Sequence, residues 1–462
     1  MNLIYGIKDR PKFGQVLLFA LQQLLAIMAA TIAVPAAVNG SLVGMGLEAS
    51  GLSASAALFG AGCGSICYLL FTKSSSPVFL GSSFAFIGSI VSAFSGALSI
   101  GLSAAAGYWG MIIGAAMAGL VYVILAIIIK FCGVAWIYKL MPPVIIGPVV
   151  ATIGLSLAGS AVSSITTSSA EGGSVYVCLI CGLVTLAVTM LATTYGKGGI
   201  KLIPFIIGIL AGYATATIFY LIGKATGNAA LIVINYGAFK NCGLFALPKF
   251  AFLLGKGGLA EINGTYLVTL FAAYVPVGFV VFAEHLADHE NLSTIIGENL
   301  LENPGLTRTL LGDGIGSIIG TFFGGCPNTT YGESIACVAI TRNASTISIW
   351  GAAFACIIFS MISPLVAFLE SIPGCVMGGV CFALYGFISV SGLKMLQAVN
   401  LNENRNLFVA SIILVAGVGN MSVSFGAVTI RTTACALILG ILANRMLAGK
   451  KEGESDQAPL QK

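Results

Sequence analysis

Cys326-Pro-Asn-Thr-Thr-Tyr-Gly-Glu-Ser-Ile335 is the stretch that decides the fold. Its first half is polar and strand-prone, and its end resumes an apolar helical pattern. The chain on either side is apolar over spans of membrane length. A second stretch of this kind, Pro77-Val-Phe-Leu-Gly-Ser-Ser-Phe-Ala-Phe-Ile87, lies far upstream. Each precedes a Pro/Gly segment, Pro142-Pro-Val-Ile-Ile-Gly-Pro-Val149 in one half and Pro373-Gly-Cys-Val-Met-Gly-Gly-Val380 in the other. One such stretch reads as Gly and Ser tightening helix packing. Two, matched in position and each followed by a matched Pro/Gly segment, read as broken spans of an internal repeat. Breaking a helix frees backbone N–H and C=O groups, which in lipid must be satisfied by protein, water or a bound solute. Matched broken spans therefore point to a midplane site of the kind transporters use.

The surroundings require lipid. Of 462 residues, 58% are hydrophobic and only 8% are charged, and the mean hydropathy is +1.01. A soluble domain carries about 25% charged residues. The net charge of +5 is spread over many loops, and no basic run suits nucleic acid. The 12 cysteines lie mostly in apolar runs. The Cys178/Cys181 pair sits in the spanning stretch Val-Cys-Leu-Ile-Cys-Gly-Leu-Val and reads as packing. The N-terminal Lys8, Arg10 and Lys12 resemble the start of a signal peptide, but the apolar stretch from 16 to 38 is too long for one and contains Gln22 and Gln23.

A crossing helix needs about 20 residues. Stretches at 14–38, 53–72, 77–98, 104–130, 142–162, 174–194, 201–223, 264–288, 309–324, 327–343, 345–368, 374–396, 406–422 and 428–447 give an all-α polytopic fold of about fourteen spans. Seven is odd, so two seven-span repeats are inverted. Loops on the N-terminal side carry Lys73, Lys130, Lys139, Lys197, Lys201, Arg308, Arg342, Lys394 and Arg405. Short loops on the far side carry Glu48, Glu171, Glu370 and Arg431. This bias predicts an inner-membrane protein with both termini cytoplasmic. The loop holding Lys224, Lys240, Lys249 and Lys256 is the exception, and long external segments obey the rule less strictly.

A charge at the centre of a spanning helix costs at least ~2.5–3.5 kcal/mol, so an ionisable group there is a functional candidate. Two carboxylates qualify. Glu284 ends the run from Val277 to Ala283, and Glu333 sits in the second broken span. Asp288 lies one turn beyond Glu284 on the same face. His285 and His289 lie on the adjacent face. Glu284, Asp288 and His285 form a candidate proton relay, because a carboxylic acid in low dielectric can take up a proton near neutral pH. Asp288 and the histidines have a second reading, as a solvated helix end. His285 and His289 have zinc-pair spacing, but Glu284 precedes the first His instead of following it, which disfavours a metalloenzyme. No nucleotide-binding or hydrolase motif appears, and no cofactor or metal is expected.

The strings Gly81-Ser-Ser-Phe-Ala-Phe-Ile87, Ala283-Glu-His285, Pro327-Asn-Thr-Thr-Tyr-Gly-Glu333, Ala339-Ile-Thr-Arg342 and Val376-Met-Gly-Gly379 lie in order along nearly the whole chain. In them the sequence resembles the nucleobase–ascorbate transporter family, in its bacterial uracil permease branch. The resemblance implies a core domain (1–135 and 264–368), a gate domain (136–225 and 369–449), an external loop (226–263) and a cytoplasmic tail (450–462), usually in a homodimer embedded in lipid. By motif it assigns Glu284 and Glu333 to the base, the backbones of Phe84 and Gly332 to added contacts, and Ser83, Tyr331, Tyr385 and Ala30 to the pocket lining. It implies import of uracil with a proton by an elevator-like movement of core against gate, with a xanthine or purine permease and an anion transporter on the same fold as alternatives. Three positions depart from the family pattern. Gln22-Gln23 stands where Gln-His is frequent, Asp288 where uracil permeases can carry His, and Ser334 where Asn is common.

Overall fold

The computed structural model describes residues 3–48, 50–133, 136, 141–168, 172–240, 242–425, 428–430 and 432–447. Lys139, Glu171, Arg431 and the 450–462 tail named above lie outside the described residues. The chain is mostly helical. The first half contains α1 (Phe13–Gly44), α2 (Ala54–Phe71), strand β1 (Leu80–Ser82), α3 (Ile87–Ser99), α4 (Ala104–Cys132), α5 (Pro143–Thr166), α6 (Val175–Tyr195) and α7 (Pro204–Thr226). The second contains α8 (Gly264–Ile296), α9 (Leu306–Phe322), β2 (Asn328–Thr330), α10 (Gly332–Thr341), α11 (Thr346–Met361), α12 (Ser363–Ser371), α13 (Gly374–Leu396), α14 (Asn404–Val418), the hairpin β3 (Val423–Phe425) and β4 (Val428–Ile430), and α15 (Thr432–Leu447). Eight of these helices are long and apolar enough to cross a membrane.

Both interrupted stretches form a short strand leading into a helix, and the two strands meet. β1 and β2 pair antiparallel with Leu80 opposite Thr330, Gly81 opposite Thr329 and Ser82 opposite Asn328. The pairing continues through Ser83 N–H, which donates to Pro327 C=O at 2.9 Å. A two-stranded ribbon alone is marginal, so the side chains around it matter. Ser65 Oγ on α2 accepts from Leu80 N–H at 2.9 Å and donates to Leu80 C=O at 3.1 Å. Tyr331 Oη donates to Ser82 C=O at 2.7 Å. The Tyr331 ring lies over Gly81, where a Cβ would collide with it. The freed backbone of one broken span is thus satisfied largely by the other.

The Pro/Gly segments open α5 and α13, which cross at close range. A Cβ on Gly392 would strike the α5 backbone at Gly147 and Ala151, and one on Gly147 would meet Gly392 C=O. Small residues at the crossing let two apolar helices approach closely without any polar glue. Cys178 and Cys181 are buried in α6, and all twelve cysteines are free thiols.

Candidate functional site

The site lies where β2, α10, α8 and the short 3-10 turn Phe84–Phe86 converge. A cavity of about 80 Å3 is lined there by Ser83, Phe84, Glu284, Tyr331, Gly332 and Glu333, with Val150, Ile153 and Ile388 from α5 and α13 opposite. Glu333 stands in the first turn of α10, where the helix N-terminus favours negative charge. Glu284 reaches the same space from the middle of α8. Both acids are half-buried. Carboxylate oxygens, backbone groups of the interrupted spans and an aromatic ring thus face one small space.

Two further cavities adjoin it. One of about 570 Å3 shares Glu284, Gly332 and Glu333, adds Asp288, and extends past Ser391 to Lys201 and Lys394. The other, about 210 Å3, shares Phe84 and Ala85 and extends to Asn420 and Thr432. Phe84 therefore stands between the central cavity and the second of these spaces. Tyr385 packs its ring edge-on to Phe84, with centroids 5.8 Å apart. It is fully buried and supports Phe84 without lining any of the three cavities. Ala30, expected in the pocket, is packed in the apolar core on α1 and also lines none of them. A motif carries no information on which helix face a small residue takes.

The acids and histidines of α8 divide into two sets. Asp288 lines the largest cavity and accepts a hydrogen bond from Thr330 Oγ1 at 2.6 Å, which ties α8 to β2. His285, expected beside it in a proton relay, turns the other way. Its Nδ1 lies 2.6 Å from Asp313 Oδ2 on α9 and its Nε2 lies 3.0 Å from Thr309 Oγ1. His289 is not a solvated helix end either. It is fully buried, 2.7 Å from Tyr68 Oη and 2.8 Å from His285 C=O. Asp313 is the residue that reading the sequence missed. An Asp within the apolar run Leu310-Leu-Gly-Asp-Gly-Ile-Gly316 was itself the available signal. Among the described residues, no group of three or more His, Cys, Asp or Glu could hold a metal ion.

Two departures from the family pattern meet in space. Gln23 Nε2 on α1 donates to Ser334 C=O at 3.2 Å, and Ser334 Oγ accepts from Phe79 N–H at 3.1 Å. They hold α1, α10 and the approach to β1 together behind the site.

Comparison with known proteins places this architecture. A permease family model matches residues 14–425. The chain belongs to this family, the nucleobase–ascorbate transporters. This permease is 36% identical over 459 residues to the uracil permease of Bacillus subtilis (strain 168), covering 98% of this chain and 97% of that one. It is 34% identical over 439 residues to the uracil permease of Escherichia coli (strain K12), covering 94% and 92%. The permease and its named relatives are transporters, not enzymes. Among solved structures, the transmembrane domain of the cyanobacterial bicarbonate transporter BicA superposes with a TM-score of 0.59 at 16% identity, covering 95% of this chain and 98% of that one. SLC26A9 superposes with a TM-score of 0.62 at 12% identity, covering 93% and 65%. At that identity the likeness concerns the fold alone.

Proposed function

We propose that this permease carries uracil together with a proton across the bacterial inner membrane. The observation that carries the reading is that Glu284 and Glu333, from two helices of the second half of the chain, line one cavity beside the interrupted backbone. Uracil is flat and uncharged, with alternating N–H donors and C=O acceptors. Carboxylates accept from its ring N–H groups, and backbone N–H groups at Phe84 and Gly332 donate to its ring oxygens. Phe84 supplies an apolar face, with Tyr385 behind it, and Ser83 and Tyr331 complete the lining. The substrate for which these relatives are named agrees with this chemistry. An anion would not favour two carboxylates, which separates this site from that of an anion transporter on the same fold.

A neutral solute gains nothing from membrane voltage, so uphill uptake needs a coupled ion. Glu284 and Asp288 are the proposed proton carriers, because both face water-accessible space. The proposed frame is fourteen spans in two inverted repeats. The core domain (1–135 and 264–368) carries the base and the gate domain (136–225 and 369–449) stands against it, with 226–263 external, both termini cytoplasmic and the whole a homodimer. Segment contacts support the sidedness. Residues 4–9 bond to 342–346, joining two segments assigned to the cytoplasmic side. On the other side Ser103 meets Glu261, and 244–246 pair with 361–363. Radiolabelled uracil uptake into proteoliposomes tests the reading, with and without an imposed pH gradient and with xanthine as competitor. Accumulation that needs the gradient and resists xanthine is expected. Uptake of xanthine in preference, or no response to the gradient, would overturn it.

A further inference from the structure

Pro276 interrupts the hydrogen-bond ladder of α8 eight residues before Glu284. The part of α8 that bears Glu284 and Asp288 therefore needs an anchor beyond its own backbone, and His285 supplies one. Both His285 and Asp313 are 0% exposed, and neither lines any of the three cavities. One arrangement of protons suits these contacts. Thr309 has one hydroxyl proton and donates it to Leu306 C=O at 3.1 Å. Its oxygen is left to accept from His285 Nε2–H. The 2.6 Å contact between His285 Nδ1 and Asp313 Oδ2 then holds one proton. Whichever atom carries it, the pair as a whole is neutral, the state that burial away from water tolerates.

Successive residues on an α-helix point about 100° apart. Pinning His285 toward α9 therefore sets the direction of Glu284 next to it. We propose that Asp313 is a positioning residue: through His285 it fixes the rotation of α8 that aims Glu284 at the cavity. The proposal rests on Glu284 binding the base. It takes His285 out of the proton path, because the pair touches no water-accessible space.

The test is a double-mutant cycle on the full-length permease in detergent, measuring uracil binding by isothermal titration and residual uptake against pH in proteoliposomes. Asp313→Asn and His285→Gln should each weaken binding about tenfold or more, as small misplacements of a binding group do. Together they should weaken it no more than the worse single change does. The pH dependence of residual uptake should stay that of the wild type. Thr309→Val, which leaves the pair itself intact, should weaken binding less and serves if either polar variant fails to fold. Additive single effects, wild-type affinity in all three variants, or a shifted pH profile in Asp313→Asn would each overturn the proposal. Wild-type protein that binds no uracil would instead remove the reading of the cavity, and this proposal with it.

Discussion

Glu284 and Glu333 are the acids proposed to recognise the base, and each has a distinct setting. Glu333 sits in the first turn of α10, while Glu284 projects from the middle of a long helix. A hydrogen bond from a ring N–H to a carboxylate is worth about 1.5–3 kcal/mol, and a neutral amide in its place recovers only part of that. Glu284→Gln and Glu333→Gln are each expected to abolish uptake and to weaken uracil binding by about 10- to 100-fold. Binding by titration and uptake in proteoliposomes check this, and normal accumulation in either variant would count against both assignments. These two acids were legible in the sequence because a charge amid apolar residues stands out. Asp313 carried the same signal and was passed over, because it lies among glycines in a short span and not within a recognised motif. The direction in which His285 points was not legible at all. It depends on α9 lying alongside α8, which no local pattern encodes.

At the scale of elements, the paired strands β1 and β2 hold the two interruptions in register. Each broken stretch could be read from Gly, Ser and Thr in an apolar context, but their pairing could not, since 245 residues lie between the partners Ser82 and Asn328. Gly81 tests the arrangement. A side chain there meets the Tyr331 ring, and overpacking of this kind costs roughly 1–3 kcal/mol. Gly81→Val should lower the melting temperature and weaken uracil binding together, because Tyr331 lies next to Gly332 and Glu333. Thermal unfolding in detergent alongside titration checks the pairing of the two effects, and lost stability with intact affinity would show the strands to be scaffold only. A second element is held by charge. Glu261 accepts from Ser103 N–H and Ser103 Oγ–H, both at 2.7 Å, at the start of α4. The Ser103 backbone donor, and then its hydroxyl, hold this carboxyl below the usual carboxylate range. Its folded pKa is depressed, so the tie is present above that range and is lost as pH falls through the lowered value. The protection of the Ser103 amide, its exchange measured against the intrinsic rate at each pH, should therefore fall in acid, and Glu261→Gln should lower it at neutral pH.

Across the whole molecule the central cavity adjoins the other two, and the Glu284/Glu333 pair lines both the central one and the one that reaches Lys201 and Lys394. Those lysines are on segments that the charge bias assigns to the cytoplasm. The central cavity meets the opposite space at Phe84, Ala85 and Ile153, with Phe84 braced by Tyr385. On the proposed topology the site opens more widely toward the cytoplasmic side, which would be the arrangement of a carrier about to release or rebind its solute there. This predicts a sided labelling pattern. Ser391 lines the 570 Å3 cavity and is exposed to it. A Ser391→Cys variant should react with a membrane-impermeant thiol reagent in inside-out vesicles, beyond the background set by Cys337 in the same cavity. It should react far less in right-side-out vesicles. Saturating uracil should slow the inside-out reaction, because base held by Glu284 and Glu333 occupies the inner end of the same space. Equal labelling from both faces would mean that Phe84 does not close the pathway. Faster labelling from outside would invert the proposed topology, since the wall bearing Ser391 also bears Lys394, and the charge bias and the cavity's orientation would then have to fall together.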